Sequence, residues 1–464
     1  MKQITVFFVI ALLMNSCGIY TRYERPAVDT SGLYRTELSA DTTASLTELH
    51  WDELFTDPQL QLLIREGLQV NTDLRIARSK VEEAQATLRS SRLAYLPSLQ
   101  LDPQGSISSF DGASPSTSYT LGASASWEID LFGKLTNAKR EARAVLEQSD
   151  AYCQAVQTSL IATIAENYYM LLMLDEQEEI TVETLVSWDE YIRTLHALMR
   201  AGDANRSTVN QAEANRLSVQ NSLADLRLQI TELENTFSAL LNRMPGHIAR
   251  TTLREQAFPD SLAIGIPLEL LSVRPDVRQA ETSLKQHFYA TNRARAAFYP
   301  SITLSGSVGW TNSGAAVGNP EGWLWQSVAS LVQPLFNRGT NIANLKIAKA
   351  QQEQALLSFH QTLLNAGVEV NNAVTRWQIA REKIIADRRQ VEHLQTVVDD
   401  TRLLMQHGSV NYLEVLVARQ SLLSARLGLV NDRRTEIQSV IDLYHALGGG
   451  REIENGDNSS RSSM

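Results

Sequence analysis

The sequence predicts an internally duplicated α+β membrane protein. Four transmembrane β-strands per chain would be completed by two further copies into a trimeric twelve-stranded barrel, continued by a long α-helical coiled-coil tunnel. Three observations predict it. The chain is written twice, at an offset of about two hundred residues. Each half holds 68 residues between two glycines with no other Gly or Pro except Gly367. Each half also holds two stretches that alternate apolar and polar residues.

The bulk properties narrow the class. With 464 residues, 43% of them hydrophobic, a sizeable core is affordable. A formal charge of −10 excludes a nucleic-acid partner, which needs a basic face. Residues 1–16 read as an export signal: Lys2, then "ITVFFVIALLM" (4–14), then Asn15-Ser16. That run is too short to span roughly 30 Å of hydrocarbon as a helix. It is either an ordinary signal followed by an incidental Cys, or a signal ending at an acylated Cys17. The small residue directly before a lone Cys favours the second. Cys153 is the only other thiol, so an intramolecular disulfide is not expected, and Cys153 reads as a small packed residue. No other apolar run reaches eighteen residues. Contact with a membrane must then come from the acyl chains or from a β-barrel.

The duplication gives the domain order. Pro97 recurs as Pro300, "DLFGK" (130–134) as "PLFNRG" (334–339), and "HALMRAGDANRSTV" (196–209) as "RLLMQHGSVNYLEV" (402–415). "SALLNRMPG" (238–246) recurs as "YHALGGG" (444–450). A unit this long is a duplicated half-protein rather than a solenoid repeat. The organisation is a lipidated linker (17–56), a first repeat (57–246), an inter-repeat linker (247–273), a second repeat (274–447) and a polar tail (448–464) expected to be disordered.

Each repeat runs helix, two strands, long helix, helix. The first helices, about 57–95 and 275–298, end at the elbow prolines Pro97 and Pro300, since a residue before proline is pushed out of helical geometry. The stretches 134–201 and 340–407 would each be a helix of roughly 100 Å, because one residue rises about 1.5 Å. Gly202 and Gly408 make turns into second helices, about 206–243 and 411–446. Spacings alternating three and four mark coiled-coil seams: Leu223, Leu226, Ile230, Leu233, Phe237 and Leu240 in the first half, Leu413, Leu416, Gln420 and onward to Tyr444 in the second.

In "SYTLGASASWEIDLF" one parity reads Tyr119, Leu121, Ala123, Ala125, Trp127, Ile129; the other reads Thr120, Gly122, Ser124, Ser126, Glu128. "SITLSGSVGW" divides in the same way. Such alternation fits a strand with lipid on one side and water on the other, and a half-buried soluble sheet alternates identically. Four strands cannot close, and an open edge is not tolerated in hydrocarbon, so membrane strands here require a barrel shared between chains. Three copies supply twelve strands, enough to enclose a lumen.

These residues resemble the TolC family, in its acylated branch of outer-membrane proteins serving drug pumps. "YERP" (23–26), "WDELFTDPQLQLLI" (51–64), "ELLSVRPDVRQAE" (269–281) with Arg274-Pro275-Asp276, and "LYHALGGG" (443–450) carry the resemblance, in order and at the family's spacing. It implies a homotrimeric exit duct in the bacterial outer membrane with its helices in the periplasm. The implied partners are a periplasmic adaptor, an inner-membrane RND-type transporter and outer-membrane lipid. It also implies a constricted tip near Gly202 and Gly408. Relatives hold that tip partly with an aspartate and an arginine just after the second turn. Here Val417 stands in the aspartate's place and Gln420 in the arginine's, with Arg419 one residue early. Leu413 and Val417, four apart on one helix face, would narrow the aperture as an apolar ring with Glu414 nearby, or pack in the seam.

An enzyme is not expected. The eight His form no chelating pair, no glycine loop cradles phosphate, and neither a metal nor a cofactor is implied. Glu176, Glu178 and Glu179 read as a solvated or lumen-lining face. Two alternatives stay open at this point: a secretion duct of the same build that exports polypeptides, and a lipid-anchored coiled-coil scaffold without a pore.

Overall fold

The computed structural model describes residues 21–27, 50–256 apart from 113, and 274–449 apart from 314–321 and 407–411. Cys17 and Gly408 lie outside the described residues. The chain forms two compact units, and each draws on both sequence repeats: one gathers residues 78–152 and 276–362 with the N-terminal residues, the other 30–77, 153–275 and the chain from 363 onward. The duplication is therefore a pattern of the sequence, not a division into bodies.

The opening helix is not one piece. Trp51–Leu54 forms α1, Pro58–Val70 forms α2, and Thr72–Leu93 forms α3. Asn71 makes the break that the apolar period conceals. Its backbone is extended at ψ 130°, its Oδ1 accepts the Leu74 N–H at 3.1 Å, and its Nδ2 donates to the Leu240 carbonyl at 2.9 Å. An Asn that caps the next helix and fills the last carbonyl of a distant one competes successfully with one more helical turn.

The long helices appear as the glycine spacing predicts. Lys134–Ala201 is α4, with 68 residues, and Thr340–Gln406 is α7, with 67. Gly367 does not interrupt α7, where Asn371 Nδ2 donates to its carbonyl. The start of α4 is chemically specified. Gly133 takes φ 67°, and the Asp130 carboxylate accepts the N–H groups of Leu135 at 3.0 Å and Thr136 at 2.7 Å. Those donors would otherwise be orphaned at the positive end of the helix dipole.

Arg206–Leu240 forms α5, Pro275–Ala296 forms α6, and Tyr412–Ala446 forms α8. Helices α4, α5 and α8 end in the same way. At each, a left-handed residue (Gly202, Asn242, Gly448) precedes a paired set of backbone hydrogen bonds back into the last turn. Gly448 and Gly449, which the sequence reading assigns to a disordered tail, are instead buried and ordered. A Cβ on Gly449 would fall 2.3 Å from the Tyr444 ring.

Four strands, β1 Ser98–Ser108, β2 Ser116–Ile129, β3 Ser301–Ser313 and β4 Gly322–Val332, make one antiparallel sheet in the order β1-β2-β3-β4. Its centre joins the two repeats, with Trp127 opposite Leu304 and Leu121 opposite Trp310. Among the described residues, β1 and β4 each have a strand neighbour on one side only.

Candidate functional site: a two-faced sheet and a helical tip

The register decides which side chains share a face. Leu99 and Leu101 line up with Ala125 and Ala123, these with Gly306 and Val308, and Val308 with Trp325. The opposite parity aligns Gln100, Ser124, Ser307 and Gln326. A shallow groove on that polar side is lined by Ser98, Gln100, Ser126, Ser305, Ser307 and Gln326. The predicted alternation is therefore real along β1, β2 and β3, whereas on β4 the polar-side parity also carries Leu324, Val328 and Val332. The polar face carries two acids and no base: Asp102, which accepts a 2.6 Å hydrogen bond from Ser124, and Glu128, paired with Lys134. On the apolar face Trp310 and Trp323 stack at 4.7 Å near the loop end of the sheet, and Trp127 stands near the elbow end. Six residues of strand, about 20 Å, separate these levels, the placement expected of aromatics at two interfaces.

Pro97 and Pro300 stand where expected, each directly before a strand. Carbonyls at the helix ends, left without helical donors where the chain turns into a strand, are taken up by side chains. Trp127 Nε1 donates to the Tyr95 carbonyl at 2.9 Å, Gln333 Nε2 to Phe298 at 3.0 Å, and Asn341 Nδ2 to Ala297 at 3.0 Å. Phe132, 8% exposed, stacks on Tyr299 at 5.1 Å and closes the elbow region between β2 and β3.

At the tip, Trp188, Tyr191, Leu195, Val209, Ala212, Val219 and Val415 form one buried cluster. Leu413 and Val417 stay outside it, 52% and 54% exposed, and Glu414 and Gln420 are exposed as well. At 100° per residue, Leu413, Val417 and Gln420 share one face. The seam predicted for the start of α8 is thus displaced: Val415, Ala418 and Arg419 are the buried positions there. Arg419 does not share the face of Leu413, Val417 and Gln420. It lies two positions beyond Val417, on another face, where its guanidinium donates to the Ser187 carbonyl at 3.1 Å and to the Ser187 hydroxyl, and sits 5.1 Å from the Tyr191 ring centre. Burial lowers its pKa, and its Nε has no partner. Tyr191 in turn donates to the Tyr412 carbonyl at 2.8 Å. Ser187 and Tyr412 were not singled out from sequence; neither interrupts an apolar period.

The scattered motifs converge on structural joints. Asp57 caps α2 through the Gln59 N–H at 2.8 Å and gathers Tyr168 at 2.7 Å, Gln256 at 2.8 Å and the Thr251 hydroxyl on its other oxygen. Burial alone would raise this carboxyl, but the donated hydrogen bonds hold it below its ordinary value. Phe55 meets Tyr444 edge-on at 6.0 Å, and buried Arg274 donates to the Ala446 carbonyl at 2.6 Å and to Glu369 at 2.7 Å. Tyr23 packs edge-on against Phe288, while Arg25 pairs with Glu281. Glu176 and Glu179 pair with Arg254, and Glu178 with Arg227, through arginines that are themselves exposed. Cys153 is buried, as expected of a packing residue. Among the described residues, no helix is long and apolar enough to cross a membrane, and no cluster of His, Cys, Asp and Glu could hold a metal.

Comparison with known proteins agrees with this geometry. The family model described as outer membrane efflux protein matches residues 63–243 and 266–449. The chain is 30% identical over 451 residues to the cation efflux system protein CusC of Escherichia coli O6:H1, covering 96% of this chain and 98% of that one. It is 27% identical to the probable outer membrane lipoprotein SilC of Salmonella typhimurium, covering 97% and 98%. A crystal structure of CusC, from work on its folding and transmembrane channel formation, superposes with a TM-score of 0.85 at 29% identity, over 94% of this chain and all of that one.

Proposed function

Because this chain belongs to the outer membrane efflux protein family and is an outer-membrane efflux channel subunit, we propose that three copies form the exit duct of a tripartite system. The duct passively conducts drugs or other small molecules received from a periplasmic adaptor and an RND-type inner-membrane transporter. The observation that carries this reading is the four-stranded sheet with one apolar and one hydroxyl-lined face, on a chain that cannot close it alone. Acyl chains on Cys17 hold the N-terminus at the same membrane. The end of the long helices near Gly202 meets the adaptor. A strain lacking this chain is expected to accumulate a fluorescent cationic dye several-fold above its parent, restored by the full-length chain. Equal accumulation across a broad panel of small molecules counts against efflux of this class.

The aperture is an apolar constriction. Leu413, Val417 and Gln420 share the exposed face of α8, with Glu414 alongside, and three copies bring these faces toward one axis. Arg419 acts from behind, fastening α8 to Ser187 and Tyr191 of α4. Closure by apolar side chains is less sensitive to salt than closure by exposed ion pairs. The pair Leu413→Asn and Val417→Asn is expected to raise resting conductance in planar bilayers several-fold without changing assembly. A resting conductance equal to wild type would exclude the ring.

A further inference from the structure

Charge is distributed unevenly about the elbows. The whole chain carries 42 Lys and Arg against 52 Asp and Glu. The stretches that hold the strands, 98–133 and 301–337, carry five acids and no base. The four stretches that flank them, 84–97, 134–147, 287–300 and 338–351, carry eleven bases and only two acids. Both acids are already engaged: Glu141 pairs with Arg293, and Glu147 with Arg143 and Lys285. A surplus of bases therefore gathers at the helical end of the sheet.

Two fixed points show which of these bases face outward. Trp127 stands on the apolar face near the elbow, and its Nε1 donates to the Tyr95 carbonyl. The Tyr95 ring lies 5.5 Å from Lys139 Nζ, and its hydroxyl meets that of Thr136 at 3.0 Å. Lys139 thus lies on the side of the apolar face, and Arg143 follows four residues along the same helix stripe. Both are exposed. Lys134 differs, because it pairs with Glu128 on the polar face. The second fixed point is the N-terminal segment. Tyr23 packs on Phe288, with Lys285 5.8 Å from its ring centre, and Arg25 pairs with Glu281. Glu281, Lys285 and Phe288 form one stripe of α6, and Arg295 continues it seven residues, about 10 Å, nearer the elbow. Six residues separate Tyr23 from Cys17, a reach of about 20 Å, which covers that distance.

We propose that Lys139, Arg143 and Arg295 form the outer side of a basic collar that binds the headgroup phosphates of acidic phospholipids in the periplasmic leaflet of the outer membrane. This rests on the outer-membrane channel reading and adds a lipid partner to it. The charges are complementary: each base held near an anionic surface strengthens binding roughly five-fold, and the attraction fades within a Debye length. The depth agrees as well. Bases just beyond an interfacial Trp stand at headgroup level, where a long stem lies along hydrocarbon and the charged end stays in water. Among the described residues no acid pairs with Lys139 or Arg295, and Arg143 keeps only an exposed pair with Glu147, which is weak. The arginines add a planar pair of donors that matches a phosphate. At the opposite end of the sheet, the loops 109–115 and 314–321 carry Asp111 and no base, so the interaction belongs to one leaflet.

Spin-labelled lipid tests this with the full-length protein reconstituted in phosphatidylcholine vesicles. Phosphatidylglycerol and phosphatidylcholine with the same chain label are compared for the fraction immobilised at the protein surface. Wild type is expected to prefer phosphatidylglycerol several-fold, and to lose the preference in salt of about 1 M, where the Debye length is about 3 Å. The triple variant Lys139→Gln, Arg143→Gln, Arg295→Gln is expected to lose it at low salt, with native sizing unchanged. Lys134→Gln is expected to retain it. Each single variant of the three is expected to lower the preference in part, so the test stands even if the triple variant does not assemble. Equal immobilisation of the two lipids by wild type, or an undiminished preference in the triple variant, overturns the collar and leaves the channel reading standing. Loss of the preference in inorganic phosphate, but not in chloride of equal ionic strength, would assign the bases to free phosphate instead. Sedimentation with purified peptidoglycan that depends on the same bases, without a lipid preference, would assign them to the cell wall. Absence of any immobilised lipid overturns both the collar and the channel.

Discussion

Alanine at Asp57 is expected to destabilise the folded chain by roughly 3 kcal/mol or more, the sum of a lost N-cap and of buried donors left without an acceptor. The residue touches no cargo on any reading. Its two oxygens hold the first turn of α2, the Tyr168 hydroxyl, the Thr251 hydroxyl and the Gln256 amide, groups drawn from three distant parts of the chain. Thermal unfolding of the detergent-solubilised protein measures the loss. Asp57→Asn keeps one carbonyl acceptor and is expected to lose about half as much; equal stability of wild type and Asp57→Ala would show that water replaces the carboxylate. The same site predicts an acid response. The folded carboxyl lies below its ordinary value, so its contribution is complete above the unfolded pKa of about 4 and is lost as pH falls through the lower folded value. Asp57→Asn is expected to flatten the stability profile below pH 4, where wild type declines.

The second large effect is expected at Gly309. A Cβ there would fall 2.6 Å from the Leu121 carbonyl oxygen and 2.7 Å from the Gly122 Cα, both rigid backbone atoms of the neighbouring strand. Overpacking typically costs about 1–3 kcal/mol when side chains can yield, and backbone yields less. Gly309→Ala is expected to cut the outer-membrane trimer severely, and Gly309→Val to abolish it. Gly122, directly opposite, is the internal control, since a Cβ there meets only the Val308 carbonyl oxygen at an ordinary 3.8 Å. Trimer yields that fall equally for Gly309→Ala and Gly122→Ala would refute the close approach as the cause.

What could be read from the sequence was whatever a one-dimensional period or a glycine–proline boundary encodes. The long helices, the elbows at Pro97 and Pro300 and the two faces of the sheet are of this kind, because each depends on neighbours a few residues away. Asn71 was invisible because the apolar period continues through it, and the force that breaks the helix is a hydrogen bond to Leu240. Arg419 adjoins Gln420 in sequence, yet it lies on another face of α8, because each residue turns a side chain by about 100°. Leu413 illustrates a subtler point. A spacing of three and four identifies an apolar stripe but not the helix that receives it, and here the described partners inside the chain receive Val415 instead. The motifs of the family resemblance were recognisable as words, yet their physical work, Phe55 against Tyr444 and Arg274 against Ala446, joins residues hundreds of positions apart.

The pairing of β2 with β3, which begins at Ser118 and Ser313, has a temporal meaning. Between those two residues lie α4 and α5 of the first repeat and α6, which opens the second. A chain exported from its N-terminus therefore delivers β1 and β2 long before β3 exists to receive them. A two-stranded hairpin in hydrocarbon would leave backbone groups without donors or acceptors, so it has no reason to enter the bilayer early. The serine-rich parity of β2 keeps it compatible with water during that wait. By the same argument insertion waits at least until β3 and β4 have been delivered, and a chain truncated within the first half is expected to stay out of the bilayer.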